Sequence, residues 1–144
     1  MTKLSLLAAC IAFASATVQA QVSVDKPWVR TTVPQQTTTG AFMTITSAQG
    51  GKLVAASSPI AASVEVHEMR MDGDTMKMRP IEVLPLPAGK PVELKAGAYH
   101  MMLLGLKAPV KFGDVVPIRL VIEDAKGKRQ TVDVKASAKL VMQD

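Results

Sequence analysis

Cysteine is almost absent. The one present, Cys10, lies in an N-terminal segment with the marks of a leader: Lys3 at the start, an apolar run over 4–13, and the small-residue ending Val18-Gln19-Ala20. That apolar run is shorter than the roughly 20 residues a bilayer span needs. It also continues past Cys10 into Ile11 and Phe13, without the small-residue stretch expected just before a lipidated cysteine. Cleavage after Ala20 is therefore expected, giving a leader at 1–20, one domain at 21–144 and no stable membrane-spanning segment in the mature chain. The mature chain would have no thiol, which excludes disulfide staples, thiolate metal sites and cysteine catalysis together. Aromatic residues are few, at 3%. The positive charges are scattered apart from a short group at Lys126-Gly127-Lys128-Arg129, so a stacking platform or basic stripe for nucleic acid is excluded. Loss of Lys3 with the leader lowers the formal charge from +5 to +4. Mild basicity suits docking on an acidic surface, and solubility explains it equally well.

Helix evidence is also poor, because prolines at 80, 85, 87, 91, 109 and 117 interrupt any 3.6-residue pattern. What remains reads in period two. Strands are expected over 22–30, 40–47, 53–56, 63–71, 76–83, 92–94, 100–106, 115–123 and 130–134, with Gly, Pro, Asp and Ala-Gly segments turning between them. Many short strands in a chain with room for one core favour a β-sandwich or small barrel.

Both histidines and six of the nine methionines fall in two short segments: His67, Met69, Met71, Met76 and Met78, then His100, Met101 and Met102. Imidazole nitrogen and thioether sulfur together suit copper, Cu(I) above all. Asp72-Gly73 reads as a two-residue type I′ hairpin turn. In that register Met71 pairs with Asp74, Met69 faces Met76, Glu68 faces Lys77, and His67 falls opposite Met78. His100 and Met102 point to one side of their strand, Met101 and Tyr99 to the other. Met43, Met71, Met76 and Met101 read by default as packing residues. Met69, Met71 and Met76 also suit an apolar, sulfur-rich rim around the metal and a transient capture path for it. Periodicity alone does not bring the two His/Met pairs together.

A blue-copper electron-transfer site is disfavoured for want of a cysteine. No nucleophile–base pattern supports catalysis, and the carboxylates near His67 read as surface charges, so the chain reads as a non-enzyme. With no thiolate in the set, proton competition for the metal falls on the two imidazoles, while the thioethers do not titrate. Cu(II) can use the same histidines with oxygen donors.

The spacing resembles that of the PCu(A)C family of periplasmic copper chaperones: a histidine, ten residues, a methionine, twenty-one residues, then His-x-Met. His67, Met78 and His100-Met101-Met102 fall on those positions. Val64-Glu65-Val66-His67-Glu68-Met69, Met76-Lys77-Met78-Arg79, Gly97-Ala98-Tyr99-His100 and Gly105-Leu106-Lys107 also look typical, and the likeness spans about 28–123. Pro34-Gln35-Gln36, Lys52 and Ala98 depart from the pattern, in loops rather than at ligands. The resemblance implies an all-β, cupredoxin-like Greek-key barrel or sandwich with a solvent-accessible Cu(I) site made by His67, Met78, His100 and Met102. It further implies a monomeric periplasmic protein that delivers copper to an acceptor, the CuA centre in the copper-bearing subunit of cytochrome c oxidase or another periplasmic copper protein. Two other readings stay open: copper storage or buffering, and a secreted β-sandwich interaction module whose methionines form a docking patch. A copper oxidoreductase ranks below both.

Overall fold

The computed structural model describes residues 21–141, so the expected leader, Cys10 and Met142 lie outside the described residues. Ten strands follow in chain order: β1 (Val22–Arg30), β2 (Thr38–Ser47), β3 (Gly51–Ser57), β4 (Ala61–Asp72), β5 (Thr75–Ile81), β6 (Leu84–Leu86), β7 (Val92–Leu94), β8 (His100–Leu106), β9 (Val115–Glu123) and β10 (Arg129–Lys139). No helix occurs among the described residues, and none is long and apolar enough to cross a membrane. The strands join in the order β5-β4-β8-β2-β1-β10-β9-β3-β6, with β7 added to β2. All pairings are antiparallel except β1 with β10. The sheet curls until β3 approaches β4, and an apolar seam lined by Leu53, Val64, Val66, Ile81 and Leu84 lies between them.

Period two is the reason these segments are strands. In β9, Val116, Ile118, Leu120 and Ile122 point inward and their neighbours outward. In β10, Val134, Ala136 and Ala138 do the same across the ladder. Ile45, Leu84, Leu86, Leu94, Met101 and Leu103 are among the largest fully buried side chains of the interior. The structure adds β6 and extends β10 beyond the strand expected at 130–134.

In β1 the inward parity changes midway. Lys26 has φ +48°, and between Asp25 and Trp28 the strand advances one residue more than β2 does. This is a β-bulge, and it accommodates Pro27. The extra residue turns Val29 into the core and leaves Trp28 and Arg30 outside, against Phe42. The Trp28 and Phe42 rings stack at 4.4 Å, and the Arg30 guanidinium lies 5.6 Å from the Phe42 ring centre.

Gly51, at the start of β3, combines φ +126° with tight packing: a Cβ there would lie 2.4 Å from the Glu123 carbonyl oxygen. Gly51→Ala is expected to cost more than about 1 kcal/mol, since a side chain is added where positive φ disfavours it. Thermal or urea unfolding checks this, and no loss of stability would contradict the β3–β9 packing.

Candidate metal centre

The centre lies on the outer face of β4, β5 and β8. In β4, Val64 and Val66 turn into the core, which sends Glu65, His67, Met69 and Met71 outward. In β8, Met101 and Leu103 are fully buried, which sends His100 and Met102 outward. The packing reading of Met101 and Met43 therefore holds. Across the β4–β8 ladder His67 is directly opposite His100, and Glu65 is opposite Met102. The two histidines, 33 positions apart in the chain, thus become nearest cross-strand neighbours, with β-carbons about 4.5–5.5 Å apart.

The hairpin register differs from the expected one. The two turn residues are Gly73 and Asp74, not Asp72 and Gly73, and Asp72 pairs with Thr75. Gly73 has φ +66°, while Asp74 is not among the residues with positive φ. A glycine at the first central position is what a type II′ turn requires, whereas the expected type I′ turn needs positive φ at both. Met71 consequently pairs with Met76, Met69 with Met78, Glu68 with Arg79, and His67 with Pro80. The expected Glu68–Lys77 pair is replaced by Glu68–Arg79 at 2.7 Å and Lys77–Asp72 at 2.6 Å. Pro80 is tolerated because β5 ends the sheet and its outer edge has no partner strand.

The correction shifts partners by two residues, an even number, so Met78 stays on the same face as His67. It is the diagonal neighbour of His67, at about 7–8 Å and within reach of a long side chain, not the opposite residue. Met102 lies on the other diagonal, beside His100. The structure thus brings His67 and His100 together directly, with Met102 next to His100. Met78 stands at the exposed corner, 47% accessible. To share one ion with the imidazoles, the two thioethers must lean in from opposite corners.

The hydrogen bonding of the imidazoles points to an absent partner. His67 Nε2 lies 2.8 Å from Glu65 Oε2. An ionised carboxylate only accepts, so Nε2 donates to it, and in the neutral tautomer that this contact selects Nδ1 presents a lone pair. That Nδ1 is buried and makes no hydrogen bond, and the same holds for His100 Nδ1. Leaving such an atom unsatisfied costs about 1–3 kcal/mol each. Two orphaned imidazole nitrogens on directly opposed residues fit a metal that takes both. Among the described residues no three His, Cys, Asp or Glu gather to hold a metal. The soft donors that this face adds are the thioether sulfurs of Met78 and Met102, which suit copper.

Three contributors escape a reading confined to His and Met. Glu65 shares the parity of His67, and that spacing is its signal in the sequence. Glu65→Gln is expected to weaken metal binding about 10- to 100-fold, the usual cost of losing the carboxylate that orients a ligating imidazole. Competition titration checks this, and unchanged affinity would remove Glu65 from the site. Gly40, opposite Met102 on β2, and Phe42 form the flank. A Cβ at Gly40 would lie 2.9 Å from the Phe42 ring, so the glycine leaves that ring its room.

The fold is a curled, mostly antiparallel β-sheet that presents the two histidines and five of the methionines on one outward face. The family model described as “Putative lipoprotein LpqE-like” matches residues 22–136, and the chain belongs to that family. It is 30% identical over 115 residues to Lxx21020 of Leifsonia xyli subsp. xyli, a relative also named as a lipoprotein, covering 79% of this chain and 69% of the relative. Among solved structures, apo-DR1885 of Deinococcus radiodurans is similar at 29% identity and TM-score 0.61, covering 99% of this chain and 94% of that one. Its Cu(I) form is similar at 32% identity and TM-score 0.59, covering 88% and 83%. The apo PCuAC domain of PmoF1, 20% identical with TM-score 0.66 over 84% of this chain and 95% of its own, shares the fold. The architecture is the cupredoxin-like β fold of those domains.

Proposed function

We propose that this protein is an exported copper chaperone of the PCu(A)C type, working in the periplasm, that binds Cu(I) through His67, Met78, His100 and Met102 and hands it to an acceptor. The observation that carries this reading is the pair of buried, unpartnered Nδ1 atoms on His67 and His100, flanked on one sheet face by thioethers. The similarity to DR1885, solved in a Cu(I)-bound form, supports copper as the cargo. The lipoprotein description of the family supports export.

The donor set suits transfer. Neutral imidazole and thioether ligands hold Cu(I) without a thiolate, and the exposed Met78 is accessible to an incoming ligand. Release proceeds by ligand exchange: each protein–copper bond breaks as an acceptor donor replaces it, and no electron moves. We further propose the CuA domain of cytochrome c oxidase as acceptor, a role in delivery rather than catalysis, and a monomeric working form. The modest positive charge suits an acidic docking face.

The test is anaerobic mixing of the Cu(I)-loaded mature protein with an apo CuA domain, followed by separation and metal analysis. Copper is expected to leave this protein for the acceptor. Retention under reducing conditions would favour storage or buffering instead.

A further inference from the structure

The β4–β5 hairpin carries four methionines that the proposed centre does not fully use. Beyond His67 the hairpin leaves the core. Its other face is charged and ion-paired: Glu68 with Arg79, Asp72 with Lys77. Those pairs fix the register in which Met69 opposes Met78 and Met71 opposes Met76, all on the face of His67. Among the described residues no strand covers this face, and Met71, Met76 and Met78 are 57%, 53% and 47% exposed. Packing does not account for them.

Apolar area does not account for them well either. Strand positions favour Val, Ile, Thr and aromatic residues, and any of these would supply docking surface. Every one of the four positions is a thioether. Directly opposed residues have β-carbons about 4.5–5.5 Å apart, and successive rows on one face are two residues apart. The four sulfurs therefore form two adjacent rows that lead from the hairpin tip to His67.

We infer that Met69, Met71 and Met76, with Met78 shared, form a second soft-metal site, an all-thioether capture site for Cu(I) that feeds the His67/His100/Met102 centre through Met78. This rests on the reading of Cu(I) as cargo. Capture and hand-over are ligand exchange: sulfur–copper bonds form at Met71 and Met76 as the donor's ligands leave, then yield to Met78 and the imidazoles. All ligands are neutral, so no proton or electron is transferred. The site binds more weakly than the centre, which adds imidazoles to sulfur, and copper therefore runs inward.

The probe is Ag(I), a soft closed-shell ion of the same charge, added anaerobically to the mature chain with 13C-methyl-labelled methionine. The first equivalent is expected to shift the Met78 and Met102 methyls, and the second those of Met69, Met71 and Met76. The second should bind at least about tenfold more weakly, with core Met43 and Met101 unmoved throughout. The double variant Met71→Leu/Met76→Leu keeps apolar bulk and should retain the first equivalent while losing the second. Met71 and Met76 methyls that stay fixed through two equivalents, or a leucine variant that still takes two, would overturn the inference. So would a leucine variant that transfers copper as fast as wild type with one equivalent bound throughout, since the hairpin would then be a docking patch. Shifts at Met71 and Met76 with none at Met102 would instead overturn the proposed centre and leave this site standing.

Discussion

Replacing both His67 and His100 with alanine is expected to weaken Cu(I) binding by more than about 100-fold, beyond the upper range for losing a single outer hydrogen-bond partner of a ligand. The two imidazoles face each other across β4 and β8, each with a buried Nδ1 that makes no hydrogen bond. Removing one deletes a donor and leaves its partner still unsatisfied. Removing both leaves only thioethers. Folding should survive, because the half-buried rings lie on the outer face and not among the apolar residues of the core. Anaerobic competition against a Cu(I) chelator reads the affinity, and unfolding in urea reads the fold. Affinity within a few-fold of wild type would show that copper binds elsewhere.

Met101→Ala should do the reverse. Met101 is fully buried among core residues that include Leu103, while its neighbours His100 and Met102 face outward. Truncation leaves a cavity, and the expected cost is about 2–5 kcal/mol of stability. For one domain of this size that is a large part of a total of about 5–15 kcal/mol. Copper stoichiometry in the protein that remains folded should be unchanged. Met102→Ala should spare stability and weaken copper binding, so two adjacent methionines separate the roles. A stable Met101→Ala protein with impaired copper binding would reverse the assignment of faces in β8.

That separation was legible in the sequence, because strand parity alone distinguishes Met101 from Met102. Period two likewise marked 115–123 as a strand, which the structure bears out as β9. The pairing of His67 with His100 was not legible from pattern. It depends on β4 and β8 meeting after β5, β6 and β7 have intervened, and nothing local to either strand encodes that meeting. Only the spacing shared with a known family joined the pairs in advance. The hairpin register failed for a different reason. Asp-Gly and Gly-Asp both place glycine in the turn, and the choice between them rests on whether Asp72 adopts the positive φ that a type I′ turn needs, which it does not. The Lys26 bulge was hidden in the same way, since one extra residue in β1 leaves no mark on composition. The face containing Met78 survived the register error because the shift was even.

Glu65 reads in the sequence as a surface charge. Its carboxylate instead lies 2.8 Å from His67 Nε2, and the clue was its two-residue spacing from His67, which places both on one face of β4.

The most direct measurement is X-ray absorption at the copper and selenium edges of Cu(I)-loaded, selenomethionine-substituted protein at one equivalent. The predicted result is a mixed shell, with imidazole scattering together with selenium neighbours at copper, and a copper neighbour seen from selenium. A shell of nitrogen and oxygen alone, or of selenium without imidazole, would contradict a His/Met centre.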